Sequence, residues 1–444
     1  MSIEKNRFHC AHWKNQLLFT VERNYMLYAA EGSRETAISD DQLADILNSV
    51  FTGLGKRNSV LAVPPDSTRI HSRAGFITEA AWRFYGDSLS GILPALGTHQ
   101  PMGTDELSRM FPAIPRSLFR VHNWREDTET LGSIPGKTIE TLAGGGVSFP
   151  WPVQVNRLIS RGKHDLVLSI GQVVPHEVTG MANYSKNILI GTGGQEAIDR
   201  SHYLGAVYGI EKILGRRDNP VRTVLNTAAE QFLKDIPILY ILTVVSPDDS
   251  GSPVLKGIFI GDDEECFSRA CTLSEKVNIT WLDNPLDKII VYLDPEEYKS
   301  TWLGNKAVYR TRMAIRDGGE LIILAPGVKT FGEDSRNDTL IREFGYRGTE
   351  TIKKLVSRHP NLQANLSAAA HLIHGSTEGR FSVTWCPGKL SRKEIESAGY
   401  RYGDLDDFLD RYPVSMLAEG FNTLPSGEEL FFIRNPGLGL WRTI

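Results

Sequence analysis

The chain has few cysteines, no excess of charge of one sign and no long hydrophobic run. Its 444 residues include four cysteines, Cys10, Cys266, Cys271 and Cys386, none of them in a CxxC pair. Scattered cysteines of this kind predict free thiols in a reduced compartment rather than a disulfide framework or a cysteine metal site. The 49 basic and 53 acidic residues give a net charge of −4. This balance excludes the electrostatic footprint of a protein that binds nucleic acid or an anionic membrane.

No segment of the sequence has the length of a membrane span. The most apolar run, residues 236–245, contains Pro237 and has about half the length that a bilayer requires. The N-terminus lacks the apolar region of a secretory signal peptide. We therefore expect a cytoplasmic protein whose partner is a small molecule, without nucleic-acid or membrane partners. The sequence leaves the oligomeric state open.

Short apolar strands alternate with amphipathic helices in the first part of the chain. The pattern predicts strands at 59–63, 91–96 and 166–170, and helices at 39–51, 78–85 and 195–214. Strand, turn and helix units in this order predict an α/β fold with parallel strands. A hairpin at 238–260 and a helix at 263–276 follow.

The stretch from Asp283 to Asp287 has the composition of a linker. It predicts a boundary between an N-terminal catalytic, cofactor-binding domain at residues 1–284 and a C-terminal α/β domain at residues 285–444. In the second domain the pattern predicts strands at 289–293 and 319–324 and a helix at 303–316. The last strand, at 429–433, is expected to return to the first domain within a tail at about 425–444.

Polar clusters follow three of the predicted strands. They are Asp66-Ser-Thr68-Arg69, Gly97-Thr-His99 and Pro175-His176. Any one of them is equally typical of a helix-capping turn or of a structural histidine. Together they predict a binding site, because ligands of open α/β sheets bind beyond the carboxyl ends of the strands. Arg69 suits a phosphate or carboxylate, and His99 and His176 suit proton transfer near neutral pH.

The segment after His176 contains Lys186, His202 and a glycine turn, Gly191-Thr-Gly193-Gly194, directly before a predicted helix. A glycine turn that opens a helix presents backbone N–H groups to an anion, although a plain loop and cap is the alternative. The motif is neither a Walker loop nor GxGxxG. His202 is either a helix-surface residue or a metal ligand, and Lys186 is either a nucleophile or a solvated charge. The residues alone predict an anion-binding cleft with acid and base groups, and no particular reaction.

The combination and order of these motifs resemble the nickel-dependent lactate racemase family. The resemblance rests on the Asp66 to Arg69 and Leu96 to His99 clusters and on the spacing of His176, Lys186 and His202, and it extends over residues 15–330. It implies two α/β domains with the active site in the cleft between them. It also implies a nickel-pincer nucleotide, which binds nickel through carbon and two sulfur atoms.

Within this resemblance each residue has an implied role. Lys186 would tether the cofactor as a thioamide, and His202 would complete the nickel coordination. His99 and His176 would be the acid/base pair on either side of the substrate, a 2-hydroxy acid whose C2 hydrogen leaves and returns as hydride. Further residues are predicted to contact the cofactor (Asp66, Thr68, Arg69, Gly191, Gly193, Gly194) or the substrate (Arg69, Lys306, Arg310).

The sequence departs from the lactate enzymes in two places. Bulky Met181, Asn183 and Tyr184 replace small residues before Lys186, and the segments 302–312 and 325–334 are dense in polar groups. A polyhydroxylated chain would need such polar partners, so we predict a sugar-acid 2-epimerase of the mannonate/gluconate type. A helix with solvated arginines is the alternative interpretation of 302–312. His371 and His374 form an HxxH pair, which we interpret as structural or pocket-lining rather than metal-binding.

Three other functions are consistent with parts of the pattern. A lactate- or malate-type racemase would share the family chemistry with a shorter substrate. A sugar-acid dehydratase or dehydrogenase is disfavoured, because the chain has neither the GxGxxG fingerprint nor a dense carboxylate cluster for Mg²⁺. A non-catalytic sugar-acid or nucleotide-binding protein would retain the anion-binding groups without turnover.

Overall fold

The computed structural model describes residues 26–248, 251–437 and 439–444. Cys10 and the first part of the resemblance, residues 15–25, lie outside them. Cys266, Cys271 and Cys386 are buried free thiols. Among the described residues, no helix combines the length and the hydropathy that a membrane span requires.

The first part of the chain forms eleven strands and ten helices within the described range. The strands are β1 (Leu27–Gly32), β2 (Val60–Val63), β3 (Leu89–Ile92), β4 (Thr128–Ile134), β5 (Trp151–Asn156), β6 (Leu166–Gln172), β7 (Pro175–His176), β8 (Gly180–Met181), β9 (Ile238–Pro247), β10 (Pro253–Gly261) and β11 (Ile279–Leu282). The helices are α1 (Asp40–Leu54), α2 (Ala74–Tyr85), α3 (Thr104–Met110), α4 (Gly136–Leu142), α5 (Arg157–Arg161), α6 (Ser185–Leu189), α7 (Gln195–Tyr208), α8 (Ile210–Ile213), α9 (Pro220–Phe232) and α10 (Glu264–Asn278).

A six-stranded sheet of order β1-β10-β9-β6-β2-β3 organises this part. Strands β3, β2, β6 and β9 are parallel, whereas β10 and β1 join antiparallel. Every residue of β6 is buried, as expected of a central parallel strand that is covered on both faces. Leu168 packs with α1 and α2, and the adjacent Val167 belongs to the core on the other face. The predicted α/β class, the hairpin and the parallel strands at 59–63 and 166–170 are confirmed. The strand predicted at 91–96 lies instead at Leu89–Ile92 and ends before Pro94, which has no N–H to donate to a neighbouring strand.

The predicted helix at 195–214 is interrupted. Helix α7 ends at Tyr208, Gly209 adopts φ 108°, and the short α8 follows. A positive φ is accessible to glycine at low cost but ends an α-helix. The single long helix that the apolar pattern predicted is therefore two.

The second part of the chain contains a sheet of its own. Its strands are β12 (Leu286–Tyr292), β13 (Ile315–Ala325), β14 (Ser382–Pro387), β15 (Arg401–Tyr402), β16 (Gly420–Thr423), β17 (Glu429–Ile433) and β18 (Leu440–Thr443). Its helices are α11 (Thr301–Gly304), α12 (Lys306–Thr311), α13 (Ser335–Phe344), α14 (Thr349–Val356), α15 (Pro360–Gln363), α16 (Leu366–His374), α17 (Arg392–Ser397) and α18 (Leu405–Arg411). The sheet order is β15-β14-β13-β12-β17-β16.

Two sequence predictions in this part are wrong. The strand at 429–433 does not return to the first sheet: β17 pairs in parallel with β12, where its buried residues are covered on both faces. The helix at 303–316 is replaced by α11 and α12, and β13 already begins at Ile315. The end of the predicted tail does reach the first part of the chain, because the final strand β18 pairs in parallel with β11. The domain boundary near residue 284 stays a prediction.

The two parts of the chain contact each other through polar side chains. Glu211 accepts from Arg312 at 3.0 Å and from Arg380 at 2.8 Å. Ser367 at the start of α16 donates to Asp199 on α7 at 2.5 Å. These contacts bring α12 and α16 toward the helix that carries His202, and so they position second-part residues at the candidate site.

Candidate active site

The loop after β2 orients His99 through Asp66. Asp66 Oδ1 accepts from the Thr68 backbone N–H at 3.1 Å and from the Thr68 hydroxyl at 2.5 Å, and Oδ2 lies 2.5 Å from His99 Nδ1. Burial alone would raise the pKa of Asp66, but the hydrogen bonds from His99 and Thr68 and the charge of Arg69 hold it below its usual value. An ionised carboxylate only accepts, so His99 donates from Nδ1, and its neutral form has its lone pair at Nε2. Its side chain is 53% exposed.

His176 has the opposite arrangement of its ring nitrogens. It ends β7, which pairs with β8 in a tight hairpin. Its Nδ1 accepts from the backbone N–H groups of Val178 at 3.1 Å and Thr179 at 3.3 Å. Burial holds its pKa well below the usual value, so the ring is neutral and carries its proton on Nε2. His99 therefore offers a base and His176 a donor.

Helix α6 holds Lys186 just beyond the sheet. The neighbouring Asn187 donates from Nδ2 to the Val63 carbonyl and to the Ser169 hydroxyl, both at 3.0 Å, which fixes α6 at the ends of β2 and β6. Burial, with the positive charge of Arg69, lowers the pKa of Lys186 to about 8. A fraction of the amine is therefore neutral and nucleophilic near pH 7.

The bulky residues before Lys186 lie in the core. Met181 is fully buried, and the Tyr184 ring stacks on Phe267 with centroids 5.0 Å apart. Asn183 and Tyr184 have φ values of 67° and 58°, a left-handed conformation that non-glycine residues adopt at a cost. The loop thus has a strained backbone at two successive residues directly before Lys186.

Arg222, which was not among the residues predicted from the sequence, clamps this strained loop. The guanidinium is 2% exposed and donates to the Asn183 carbonyl and the Ser185 hydroxyl, each at 3.1 Å, and to the Met181 carbonyl. It also lies 4.5 Å from the Phe267 ring centroid. The only sequence signal was an arginine among the apolar positions of a helix.

His202 has the geometry of a single metal ligand. Its Nδ1 lies 2.7 Å from the Ile198 carbonyl, one helical turn earlier. Since the carbonyl only accepts, Nδ1 donates and Nε2 keeps its lone pair, as in metal-ligating histidines. Burial lowers the pKa of the ring and keeps it neutral. Within the described ranges, no group of three or more His, Cys, Asp or Glu side chains forms a metal site. Any metal at His202 would therefore need a bound group to supply its other donors.

The glycine turn connects the loops of Lys186 and His99. Gly191 donates to the Lys186 carbonyl at 3.0 Å, accepts from Gly97 N–H at 2.8 Å, and Gly193 donates to Ile190 at 3.2 Å. A Cβ at Gly193 would lie 2.0 Å from the Leu189 carbonyl oxygen, and one at Gly194 would lie 2.5 Å from Gln154 Oε1. Close packing thus explains these glycines, and the N–H groups of Gly191 and Gly193 are engaged inside the turn. Cofactor binding by the turn stays a prediction.

Three cations from both parts of the chain surround the site. The Arg69 guanidinium makes no hydrogen bond or ion pair with the described residues. Burial lowers the pKa of Lys306 and of Arg310, and the positive charge of Arg69 lowers both further. Arg310 is 1% exposed, donates to the Gly439 carbonyl at 3.3 Å, and has an Nε without a partner in the described part. The structure thus brings the predicted substrate residues close to one another, with unused donors for an anion.

The HxxH pair is divided between two environments. Both ring nitrogens of His371 contact tyrosine hydroxyls, Tyr309 at 2.8 Å and Tyr346 at 2.9 Å, and the ring stacks on Trp302. This leaves no nitrogen for a metal. His374 Nε2 has no hydrogen-bond partner among the described residues. Burial lowers the pKa of each to about 3.

Comparison with family models finds a match to the segment that carries this arrangement. The model of the lactate racemase N-terminal domain matches residues 30–211, the segment that contains Asp66, His99, His176, Lys186 and His202. Residues 30–211 are thus similar to the lactate racemase N-terminal domain. The resemblance that the motifs indicated is thereby confirmed.

Solved structures extend the likeness beyond the lactate racemase domain. A Thermotoga maritima protein has a TM-score of 0.79 and 24% identity, over 91% of this chain and 98% of its own. The lactate racemase apoprotein of Thermoanaerobacterium thermosaccharolyticum has a TM-score of 0.67 and 17% identity, over 93% of this chain and 94% of its own. No curated protein matches the sequence. At these identities the two structures establish the fold.

Proposed function

We propose that the protein is a racemase or epimerase that inverts C2 of a 2-hydroxy acid. The observation that carries the proposal is the complementary state of two histidines in a lactate racemase domain: His99 presents a lone pair at Nε2 and His176 an N–H. Inversion requires a base on one side of the substrate and a donor on the other. A dehydrogenase requires only one such group.

The residues present fit a nickel-pincer nucleotide, which is part of the proposal. Lys186, with its lowered pKa, suits covalent attachment, and His202 offers one lone pair to a metal that brings its other donors with it. Arg69 offers donors to a phosphate near the Asp66 turn, whereas both donors of Thr68 are already given to Asp66. When bound, such a cofactor would accept the C2 hydrogen as hydride and return it to the other face.

The protein's own residues would bind the acid and move the hydroxyl proton. Lys306, Arg310 and Arg69 supply positive charge for the substrate carboxylate. His99 Nε2 would take the hydroxyl proton, with Asp66 stabilising the imidazolium that forms, and the imidazolium would return the proton to the same oxygen when C2 regains its hydrogen. His176 Nε2–H would donate a hydrogen bond to the substrate oxygen and hold it in place.

An aldonate of the mannonate/gluconate type is our proposed substrate. Part of the polarity that suggested it has a structural use, because Arg312 binds Glu211 and Asp334 caps α13. Lys306 and Arg310 remain available, and they come from α12 at the site. Lactate or malate is the alternative, with the same catalytic residues and fewer polar partners for the chain.

The direct test is C2 inversion by protein produced together with the cofactor-maturation enzymes. Intact mass and metal analysis should show an adduct on Lys186 and bound nickel, both lost in Lys186→Ala. Gluconate, mannonate, lactate and malate are then assayed for C2 inversion by chiral chromatography. Inversion of at least one acid is expected. A nickel-loaded protein that inverts none of them, or that instead eliminates water or reduces NAD, would contradict the proposal.

A further inference from the structure

Glu177 is a carboxylate at the site to which the proposed chemistry assigns no role. It follows His176 directly, at the start of the turn between β7 and β8. Pairing of His176 with Gly180, and the hydrogen bonds from Val178 and Thr179 to the His176 ring, fix this turn. Glu177 is therefore held in place together with the proposed acid/base histidine.

The Glu177 carboxylate makes no hydrogen bond or ion pair with another described residue. Burial would raise its pKa, but the positive charges of Arg310 and Lys306 hold it well below the usual value. The group is thus ionised and lies near Lys306 and Arg310 of the second part of the chain, without a donor from another side chain. A carboxylate that accepts from no neighbouring side chain has oxygen lone pairs free for the donors of a ligand.

The chemistry of a carboxylate restricts what that ligand can be. An ionised carboxylate accepts hydrogen bonds and donates none. The hydroxyls of an aldonate chain are suitable donors, the methyl group of lactate provides none, and the second carboxylate of malate would be repelled. We propose that Glu177 selects a hydroxylated substrate chain by accepting hydrogen bonds from its hydroxyl groups beyond C2. This inference rests on the proposed function and names its substrate class.

A purely electrostatic role for Glu177 makes a different prediction. If Glu177 acted only as a counter-charge to Lys306 and Arg310, its replacement would change kcat/KM for all 2-hydroxy acids by a similar factor. Glu297 provides the matched control, because its charge also raises the pKa of Lys306. Unlike Glu177, it accepts a hydrogen bond from the Asn435 side chain at 3.3 Å. The ratio of kcat/KM for gluconate to that for lactate separates the two roles.

The experiment compares the nickel-loaded wild type with Glu177→Gln, Glu177→Ala and Glu297→Gln, after thermal unfolding has shown that each is folded. For Glu177→Ala the gluconate-to-lactate ratio should fall about 100-fold, since hydrogen bonds to charged groups are strong. For Glu177→Gln, which retains an acceptor, the same ratio should fall about tenfold. The value of kcat/KM for malate should rise in both Glu177 variants. Glu297→Gln should keep the wild-type gluconate-to-lactate ratio. An unchanged ratio in Glu177→Ala overturns the inference.

Binding distinguishes failure of the inference from failure of the proposed function. Gluconate affinity is measured by calorimetry on the same proteins, whether or not they turn over. Tighter binding to wild type than to Glu177→Ala, by about tenfold or more, supports the role of Glu177 even if no acid is inverted. Equal gluconate affinities of wild type and Glu177→Ala overturn the role of Glu177. A wild type that inverts lactate or malate but neither binds nor inverts gluconate also overturns that role, while its inversion of the short acid leaves the racemase proposal intact.

Discussion

His99 Nδ1 lies 2.5 Å from Asp66 Oδ2, although 33 positions separate the two residues in the chain. The contact joins the loop after β2 to the loop after β3. It fixes which nitrogen of His99 carries the proton, and it leaves the other nitrogen for the substrate. Asp66 is therefore a positioning residue for the proposed base.

We expect Asp66→Asn to reduce kcat about 10²- to 10⁴-fold, because an amide favours the wrong tautomer of the histidine and cannot stabilise the imidazolium. Steady-state C2 inversion by the loaded enzyme measures the effect, and KM should change far less than kcat. Glu106→Gln is the control, since Glu106 accepts from Ser67 in the same turn at 2.7 Å. A normal kcat in Asp66→Asn would contradict this role.

The amine of Lys186 should become reactive at unusually low pH. With a pKa lowered to about 8, it is mostly protonated at pH 7 and gains nucleophilicity as the pH rises through 8, whereas an ordinary lysine does so near 10.4. Competitive acetylation of the cofactor-free protein, followed by peptide mass spectrometry, measures the midpoint. The exposed Lys137 corrects for loss of reagent. A midpoint above 10 at Lys186 would refute the effect of burial.

Replacement of Arg222 should destabilise the protein. Arg222→Leu leaves two buried carbonyls and the Ser185 hydroxyl without their charged donor, for an expected loss of about 3 kcal/mol in the free energy of unfolding. Urea unfolding followed by tryptophan fluorescence measures it. Arg217→Leu, which removes a partly exposed pair with Asp218, should cost about 0.5 kcal/mol or less. Equal effects of the two changes would mean that Arg222 does not clamp the loop.

His371 should make the protein sensitive to acid. Its pKa is about 3 when folded and about 6.5 when unfolded, so between these values the unfolded state binds the extra proton. Stability is then fully present above pH 6.5 and falls as the pH decreases, by about 1.4 kcal/mol per pH unit. His371→Gln should make this slope shallower by about that amount between pH 6 and 4. Unfolding free energies across the range provide the measurement.

Tyr309→Phe is the control for this pH dependence. It removes one hydrogen bond to His371 but leaves the buried ring in place. Stability should fall at every pH while the slope stays near that of the wild type. If the His371→Gln slope matched the wild type instead, burial of a neutral His371 would not be the source of the acid sensitivity.

The elements that the sequence predicted well are those with a local signal. Strand β2 is a continuous apolar run that Pro64 ends, β6 is a mostly apolar run that follows Asp165, and α1 begins at a capping box formed by Ser39 and Gln42. The place of β17 had no local signal, because an apolar strand of five residues fits either sheet. Its pairing with β12 was decided by long-range burial.

The candidate site divides in the same way. Asp66, His99, His176, Lys186 and His202 were recognised from residue type and spacing. Glu177 and Arg222 were missed, since a glutamate beside a histidine and an arginine in a helix are ordinary sequence features. Their significance comes from burial and from partners that lie far along the chain.

By itself the sequence determined the α/β class and the chain order of the chemical groups, because side-chain periodicity and motif spacing are local properties. Only the tertiary structure decided which nitrogen of each histidine is free, how far burial lowers the pKa of Lys186, and that Lys306 and Arg310 reach the same site as Arg69. Those properties depend on hydrogen bonds and charges between distant segments, such as Asn187 with Val63, 124 positions apart. Such contacts exist only when both sheets have formed and packed together.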